Sequence, residues 1–465
     1  MSPGGLAPAA AACIFPGFYG LEPPDWLRGE LAEGIGGVVL FARNLRDPEQ
    51  ISALASSLRA EKPDLLIAVD EEGGDVTRLE AGAGSSFPGN LALGAVDDVE
   101  LTRRVAAGIG GELATAGLNL DLAPVADVIV DPANPIVGVR SFGSDPELVA
   151  RHVGAFVKGM QSVGVAACAK HFPGHGETAA DSHLELPTAQ IDRETLVRRA
   201  LPPFRAAVRA GVRAVMTAHI RFPALADEPA TLSPELIGLL RSELGFQGLV
   251  MTDALEMRSI SDTVGIAAGG VCALAAGADA LCLGADREPS EVESLRAAIV
   301  RAIEGGGLAE QRVLEAAERV RETAAWASSP RRHHDREAGA EAARRALRVE
   351  GDPSLVGEPV VIELWPEPTI AAGEAHHGLG ELLGAETIRV GQGEPLPPLD
   401  RERPLVVVLR DAHRHPWQRE LVPPGSVVVE TGLPEWRPPD ARAFVATHGA
   451  GRANLQAAAE LFAGG

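Results

Sequence analysis

Lysine is scarce in this chain of 465 residues, which also has only four cysteines, few aromatic residues and no long apolar run. The cysteines lack the paired spacing of zinc ligands and mostly lie in apolar runs, so we expect buried reduced thiols rather than disulfides. No stretch of 18 apolar residues occurs, which predicts no membrane-spanning helix. The amino-terminal residues are small and apolar without Lys or Arg, and so resemble a signal peptide poorly. We therefore expect a cytoplasmic protein with no membrane partner.

The chain has fewer basic than acidic residues: 42 Lys and Arg against 64 Asp and Glu, for a formal net charge of −22. An acidic surface repels phosphate backbones, so we expect no nucleic-acid partner. The hydrophobic fraction of 46% is sufficient for a large core. Since one domain usually holds about 100–200 residues, the length predicts two domains.

Short apolar runs alternate with amphipathic segments through roughly the first 325 residues. The runs are almost unbroken in hydrophobicity, as are strands of a parallel sheet that is covered on both faces. Eight such units predict an α/β fold with a (β/α)8 TIM barrel, and an open doubly wound sheet is the alternative. The candidate strands begin near residues 13, 37, 65, 118, 165, 214, 248 and 278.

The polar and basic segment 328–337 (SSPRRHHDRE) predicts a linker after a barrel domain at 1–327. Residues 338–465 begin with a predicted helix at 338–347, continue with five short apolar runs and end with a predicted helix at 453–462. This alternation predicts a smaller carboxyl-terminal α/β sandwich domain. Its contribution to function is left open by the sequence.

Polar residues gather at the carboxyl ends of the predicted barrel strands. The loops at this end build the active site of a (β/α)8 barrel. A random scatter would not place polar groups at the same end of strand after strand, so the sequence predicts one site there. These ends carry Asp70-Glu71-Glu72, Asp127, Lys170-His171, His219 and Asp253.

The densest polar cluster begins at Lys170 (KHFPGHGET) and continues to Asp181 and His183 in a loop rich in Gly and Pro. Lys170 is one of three lysines, which favours a role that an Arg fork cannot fill, such as a compact point donor to a sugar hydroxyl, and chance is the alternative. A carboxylate beside an imidazole favours the protonated ring, so Asp181 and His183 are suited to donate a proton near neutral pH. A hydrogen-bonded loop pair without catalytic function is the alternative.

The same histidines raise the alternative of a metal-dependent barrel hydrolase. Among them, only His171 and His175 have the i, i+4 spacing of helical ligands, and the intervening Pro173-Gly174 does not form a helix. We therefore expect no metal site.

Asp253 ends the seventh predicted strand in the run MTDALEM. An Asp at this position is often a helix cap, but its place among the other polar strand ends favours catalysis. A carboxylate can attack an anomeric carbon while a second group serves as acid and then as base. Asp70, Arg78 and Arg140 are suited to bind sugar hydroxyls, and each could equally belong to a salt bridge.

These motifs resemble the family 3 glycoside hydrolases, in the branch of bacterial β-N-acetylglucosaminidases that includes the peptidoglycan-recycling enzyme. The resemblance covers roughly residues 10–325, and its most specific motif is KHFPGHGETAADSHLELP. It also includes DEEGGDVTRL, NPIVGVRSFG and MTDALEM. It implies a retaining exo-β-N-acetylhexosaminidase that acts on cell-wall fragments, as a monomer or homodimer without cofactor.

By this resemblance Asp253 is the nucleophile, His183 is the acid/base and Asp181 is its partner. Relatives with the same His–Asp pair act as phosphorylases, so phosphate remains an alternative acceptor to water. A catalytically silent sugar-binding barrel is disfavoured by the intact motifs. The residues implied to hold the N-acetylglucosamine unit are Asp70, Arg78, Arg140, Lys170 and His171.

Two features depart from the family pattern. Glu177 stands where the family usually has Asp. The second domain, with its five predicted strands, is shorter than the usual six-stranded sandwich.

Overall fold

The computed structural model of the protein describes residues 5–178, 186–367, 378–400 and 402–463. The first ten strands include the eight of a barrel and one antiparallel hairpin, β7–β8, that lies outside it. They are β1 (Ile14–Pro16), β2 (Gly37–Leu40), β3 (Leu66–Val69), β4 (Leu120–Asp121), β5 (Ala166–Phe172), β6 (Ala214–Thr217), β7 (Arg221–Phe222), β8 (Ala226–Pro229), β9 (Leu249–Thr252) and β10 (Leu281–Leu283).

The barrel strands are parallel and follow the order β2-β3-β4-β5-β6-β9-β10-β1. A single bridge between Met251 and Ala280 joins β9 to β10, and β1 packs beside β2. Gly37 permits this packing, because a Cβ atom there would lie 2.2 Å from the Phe15 ring. Each of the eight predicted barrel strands is present, so the (β/α)8 prediction is confirmed and the open doubly wound alternative is wrong.

Both faces of the barrel strands are buried, which explains their unbroken hydrophobicity. Outward-facing side chains such as Ile67 and Val69 pack under the surrounding helices. The inward-facing layer includes Phe15, Val39, Leu66, Ala68, Leu120, Leu122, Ala166, Cys168, Ala214, Met216, Leu249, Met251, Ala280 and Cys282. The four cysteines are free, and Cys272 alone among them is exposed.

The helices of the first part alternate with the barrel strands. The sequence encodes α6 clearly, because Asp145 caps its amino end, Pro146 opens its first turn and its apolar residues recur at helical spacing. The helices are α1 (Leu6–Ala12), α2 (Asp25–Glu33), α3 (Pro48–Glu61), α4 (Asn90–Val96), α5 (Val99–Ala116), α6 (Pro146–Ser162), α7 (Arg193–Thr195), α8 (Leu201–Arg209), α9 (Pro234–Gly238), α10 (Arg258–Ser261), α11 (Ile266–Ala276), α12 (Pro289–Glu304) and α13 (Glu310–Trp326).

The remaining elements form a second sheet with helices. Its strands are β11 (Arg348–Gly351), β12 (Val360–Leu364), β13 (Glu386–Val390), β14 (Leu405–Leu409), β15 (Val427–Glu430) and β16 (Ala443–Ala446). Its helices are α14 (Arg336–Ala346), α15 (Leu379–Leu383), α16 (Pro416–Glu420) and α17 (Arg452–Ala463). The strand order is β11-β16-β15-β14-β12-β13, and only the β11–β16 pair is antiparallel.

The second sheet therefore has six strands in the described part of the chain, and the prediction of five was wrong. The missed strand β11 is a short edge strand of exposed and half-buried residues, so it carries no apolar signal. Helix α14 begins at Arg336, inside the predicted linker, and packs against α4, α5 and α17. The division of the chain at residues 328–337 stays a prediction. No helix in the described ranges combines the length and apolar character of a membrane span.

Candidate active site

The predicted polar strand ends lie together at the carboxyl end of the barrel. Asp70 follows β3, Lys170 and His171 lie in β5, and Asp253 follows β9. Parallel strands of a barrel present their carboxyl ends to one face, so their side chains share one site. In the barrel, β5 and β9 both pair with β6, so His171 and Asp253 stand at the ends of strands on either side of it.

Two cations and two carboxylates form a network across the loops that follow β3, β4 and β5. The Lys170 Nζ atom lies 2.6 Å from Asp70 Oδ1 and 2.8 Å from Glu72 Oε1. Arg140 donates to both oxygens of Glu72, over 2.7 Å through Nη2 and 2.9 Å through Nε. Burial opposes the charge on Glu72, but Arg140 and Lys170 outweigh it and hold the pKa of that carboxyl well below its ordinary value.

The network brings together three predicted binding residues, Asp70, Arg140 and Lys170, through a fourth. Sequence reasoning placed Glu72 among the polar strand ends but gave it no role. The Lys170 and Glu72 side chains are only 2% and 3% exposed, whereas Asp70 is 20% exposed. Asp70 is thus the part of the network that is open to a ligand, and Glu72 fixes both cations behind it.

A second polar group surrounds Asp127. Its Oδ2 atom accepts from His171 Nδ1 at 2.8 Å, and its Oδ1 atom accepts from the His175 backbone N–H at 2.7 Å. Burial opposes the charge on Asp127, yet His171 and His175 lower the pKa of this carboxyl overall. The contact fixes the orientation and tautomer of His171, with its Nδ1 proton on the Asp127 side. Burial, reinforced by the nearby His171, lowers the pKa of His175 to about 4.

The loop after β4 is tied to the loop after β5 by Asn134, which sequence reasoning did not single out. Its amide donates to the carbonyl of His175 at 2.9 Å and to that of Thr178 at 2.6 Å. Its Oδ1 atom accepts from the backbone N–H groups of Ile136 and Val137. The residue lies in the motif NPIVGVRSFG, whose Asn-Pro step is the available sequence signal for a turn.

Asp253 stands at the end of β9 with its side chain partly exposed. Its Oδ1 atom accepts a 2.8 Å hydrogen bond from the Ala254 backbone N–H. His219 supports this turn, because its Nε2 atom donates to the Ala254 carbonyl at 3.0 Å and its Nδ1 atom contacts Thr231 Oγ1 at 2.8 Å. The Asp253 carboxylate is therefore held by the turn that follows β9, and the buried His219 supports that turn.

The remaining predicted site residues are Arg78, Asp181 and His183. Arg78 is half-buried, and its backbone N–H donates to Glu71 Oε2 at 2.8 Å. Asp181 and His183 lie outside the described residues. The chain leading to them is anchored at Thr178, and the chain leaving them is anchored where the Ala189 N–H donates to the Arg221 carbonyl at 2.9 Å.

Within the described ranges, no group of three or more His, Cys, Asp or Glu residues could hold a metal ion.

The sequence of the barrel decides the family. Residues 28–323 match the family model described as "Glycosyl hydrolase family 3 N terminal domain", which is more than half of the chain. The chain belongs to glycosyl hydrolase family 3. Its membership, predicted from the motifs, is confirmed.

Several family 3 relatives carry hexosaminidase names. The chain is 40% identical to β-hexosaminidase A of Pseudoalteromonas piscicida over 252 residues, which is 49% of this chain and 42% of that protein. It is 39% identical to β-hexosaminidase of Stenotrophomonas maltophilia (strain K279a) over 263 residues, 55% of this chain and 77% of that protein. The match thus spans less than half of the first relative and about three quarters of the second.

A solved family 3 structure matches both parts of the chain. It is a β-N-acetylglucosaminidase from Paenibacillus sp. str. FPU-7, with 33% identity, a TM-score of 0.87 and coverage of 99% of this chain and 96% of that one. The predicted resemblance to the β-N-acetylglucosaminidase branch of family 3 is confirmed, as is the second α/β unit after the barrel.

The departure at Glu177 has a structural reason in this family 3 chain. Its carboxylate pairs with the guanidinium of Arg199, with Nε donating to Oε1 at 2.6 Å. Arg199 lies in the π-helical turn between α7 and α8. Glu177 thus anchors the start of the long loop to the neighbouring helix.

Proposed function

We propose that this glycoside hydrolase is a retaining exo-β-N-acetylhexosaminidase that releases terminal β-linked N-acetylglucosamine through a covalent intermediate on Asp253. The observation that carries the proposal is the shared barrel face. The half-buried Asp253 carboxylate at the end of β9 and the Asp70–Lys170 pair at the ends of β3 and β5 lie at the same carboxyl face of the barrel. A nucleophile and a set of sugar-binding groups on one face are what glycosyl transfer to the protein requires.

In the first step, an Asp253 oxygen attacks the anomeric carbon while the bond from that carbon to the leaving oxygen breaks. His183 gives its proton to the leaving oxygen, and Asp181 stabilises the charged ring beforehand. In the second step, neutral His183 takes a proton from water as the water oxygen attacks the anomeric carbon and releases Asp253. Two inversions at one carbon retain its configuration.

The sugar would be held by the network behind Asp70. Asp70 accepts hydrogen bonds from sugar hydroxyls, and Lys170 fixes the direction of that carboxylate. His171, held by Asp127, presents its other ring nitrogen. Arg78 and Arg140 complete the proposed set. The proposed natural substrates are cell-wall fragments in the cytoplasm, and the enzyme would act as a monomer or homodimer.

The proposal is tested by proton NMR of a reaction with 4-nitrophenyl N-acetyl-β-glucosaminide. We expect the β-anomer of N-acetylglucosamine to form first and then to equilibrate. First appearance of the α-anomer would refute the retaining mechanism. Turnover of the corresponding β-glucoside in preference to the N-acetyl compound would refute the substrate assignment. The phosphorylase alternative predicts N-acetylglucosamine 1-phosphate when inorganic phosphate is added.

A further inference from the structure

The second sheet contacts the loop that carries the substrate-binding carboxylates. Arg410, which follows β14, forms an ion pair with Asp75 in the loop after β3. The same Asp75 carboxylate accepts a 2.7 Å hydrogen bond from the Ala450 backbone N–H, which also belongs to the second unit. The Asp75 side chain is 5% exposed and that of Arg410 is 17% exposed, so the pair is largely shielded from water.

The two backbones touch beside this ion pair. A Cβ atom on Gly451 would lie 2.7 Å from the Cα atom of Gly74 and 2.9 Å from its carbonyl carbon. Backbone atoms cannot move aside as a flexible side chain can, so only glycine fits at position 451. Gly74 itself has φ of 59°. The second unit therefore determines the position of this turn directly.

The turn connects Asp75 to Glu72 over a short distance. The Glu72 N–H donates to the Val76 carbonyl at 3.0 Å, and the Val76 N–H donates to the Gly73 carbonyl at 3.3 Å. Glu72 in turn holds Lys170. Arg410 is thus joined to the sugar-binding network through one ion pair and one tight turn.

The loop that carries Arg140 also rests on the second unit. Leu433 packs in an apolar cluster with Ile129, Val137 and Val139 of that loop. The His413 Nε2 atom donates to the Pro132 carbonyl at 2.8 Å. Both sides of the Glu72–Arg140 contact are therefore supported by residues beyond the barrel.

We propose that Arg410 is a positioning residue for substrate binding: its ion pair with Asp75 fixes the turn that holds Glu72, and thereby Lys170 and Asp70. This inference rests on the proposed function, since it assigns the network to sugar binding. The second unit is then a structural part of the glycosidase site rather than an appended domain.

The test compares Arg410→Met with Arg241→Met. Arg241 is the matched control because it forms a similarly buried pair with Asp279, with side chains 19% and 0% exposed, at the opposite end of the barrel. In the control, Asp279 keeps Arg312 and Arg319 as partners. For each variant, kcat and KM for the aryl N-acetylglucosaminide and the unfolding temperature are measured.

We expect Arg410→Met to raise KM by about tenfold with kcat changed by less than about threefold, because the lost contact acts on binding. Arg241→Met should leave KM within about twofold. Arg410→Lys should restore most of the loss, since it keeps the charge. Equal KM values for the two Met variants, at similar losses of unfolding temperature, would overturn the inference.

If Arg410→Met does not fold, Asp75→Asn makes the same test, because it removes the charge and keeps an acceptor for Ala450. An unchanged KM in Asp75→Asn would then overturn the inference. Absence of turnover by the wild type would instead refute the proposed function, so the two failures are distinguishable.

Discussion

Lys170 and Asp70 come from different strands of the barrel, and their side chains meet in an ion pair 2.6 Å long at its carboxyl end. Lys170 is also paired with Glu72, which is itself held by Arg140. The single Lys170 ammonium thus contacts two carboxylates, and Arg140 supplies the second positive charge. Lysine is scarce in the rest of the chain, where most basic residues are arginine. Its use at position 170 fits a site that the larger planar fork of an arginine would not occupy in the same way.

Lys170→Met should lower kcat/KM by about 100-fold, because Asp70 loses the partner that directs its carboxylate toward the sugar. The unfolding temperature should also fall, since the buried Glu72 would keep only Arg140 as its cation and Asp70 would lose its partner. Lys158→Met on the exposed side of α6 is the matched control and should change neither quantity. Similar kinetics for the two variants would remove Lys170 from the site.

Asp253→Asn should lower kcat by at least about a thousandfold, because an amide is a poor nucleophile toward an anomeric carbon. The unfolding temperature should change little, since an Asn oxygen still accepts from the Ala254 N–H. Steady-state kinetics on the aryl glycoside measures the loss. Asp262→Asn on the exposed end of α10 serves as control. Residual activity near the wild-type value would exclude Asp253 as nucleophile.

His183→Ala should have an effect that depends on the leaving group. A phenol of low pKa departs without a proton, so glycosyl-enzyme formation from a dinitrophenyl glycoside should be nearly normal in a pre-steady-state burst. An alkyl glycoside should react at least about a hundredfold more slowly than with the wild type. A uniform loss across leaving groups would contradict the role of His183 as the acid.

Glu71 should make stability depend on pH. Burial raises the pKa of Glu71 to about 7 in the folded protein. Between its unfolded pKa, about 4.5, and that value, the folded state binds more protons, so this group makes the protein less stable as the pH rises. The stabilising contribution of Glu71 is present in full below about pH 4.5 and is lost above about pH 7.

Glu71→Gln should therefore flatten the decline in unfolding temperature between pH 5 and pH 8. The amide oxygen can still accept from the N–H groups of Arg78 and Leu79, which bond to one Glu71 oxygen. Calorimetry of both proteins at several pH values gives the comparison, and the exposed variant Glu243→Gln controls for surface charge. Parallel curves for Glu71→Gln and the wild type would contradict the prediction.

The sequence by itself determined the eight-stranded barrel and the end at which its polar residues gather. Both are encoded locally, because a strand buried on two faces must be apolar throughout and a polar residue at its end must lie at the rim. The position of α6 follows in the same way from its Asp145 cap, from Pro146 and from the helical spacing of its apolar residues. The motifs also identified the family, since Asp253 and the loop after Lys170 keep their spacing along the chain.

Only the tertiary structure decided how these residues are partnered. Strand β11 lacks an apolar pattern because it is an edge strand, and the sequence gives no sign of it. Glu72 became the centre of the cation network, and Arg410 reached Asp75 across 335 positions, through contacts that no local pattern specifies. Ion pairs between distant segments depend on the docking of whole elements, and a buried charge is tolerated only where that docking supplies its partner.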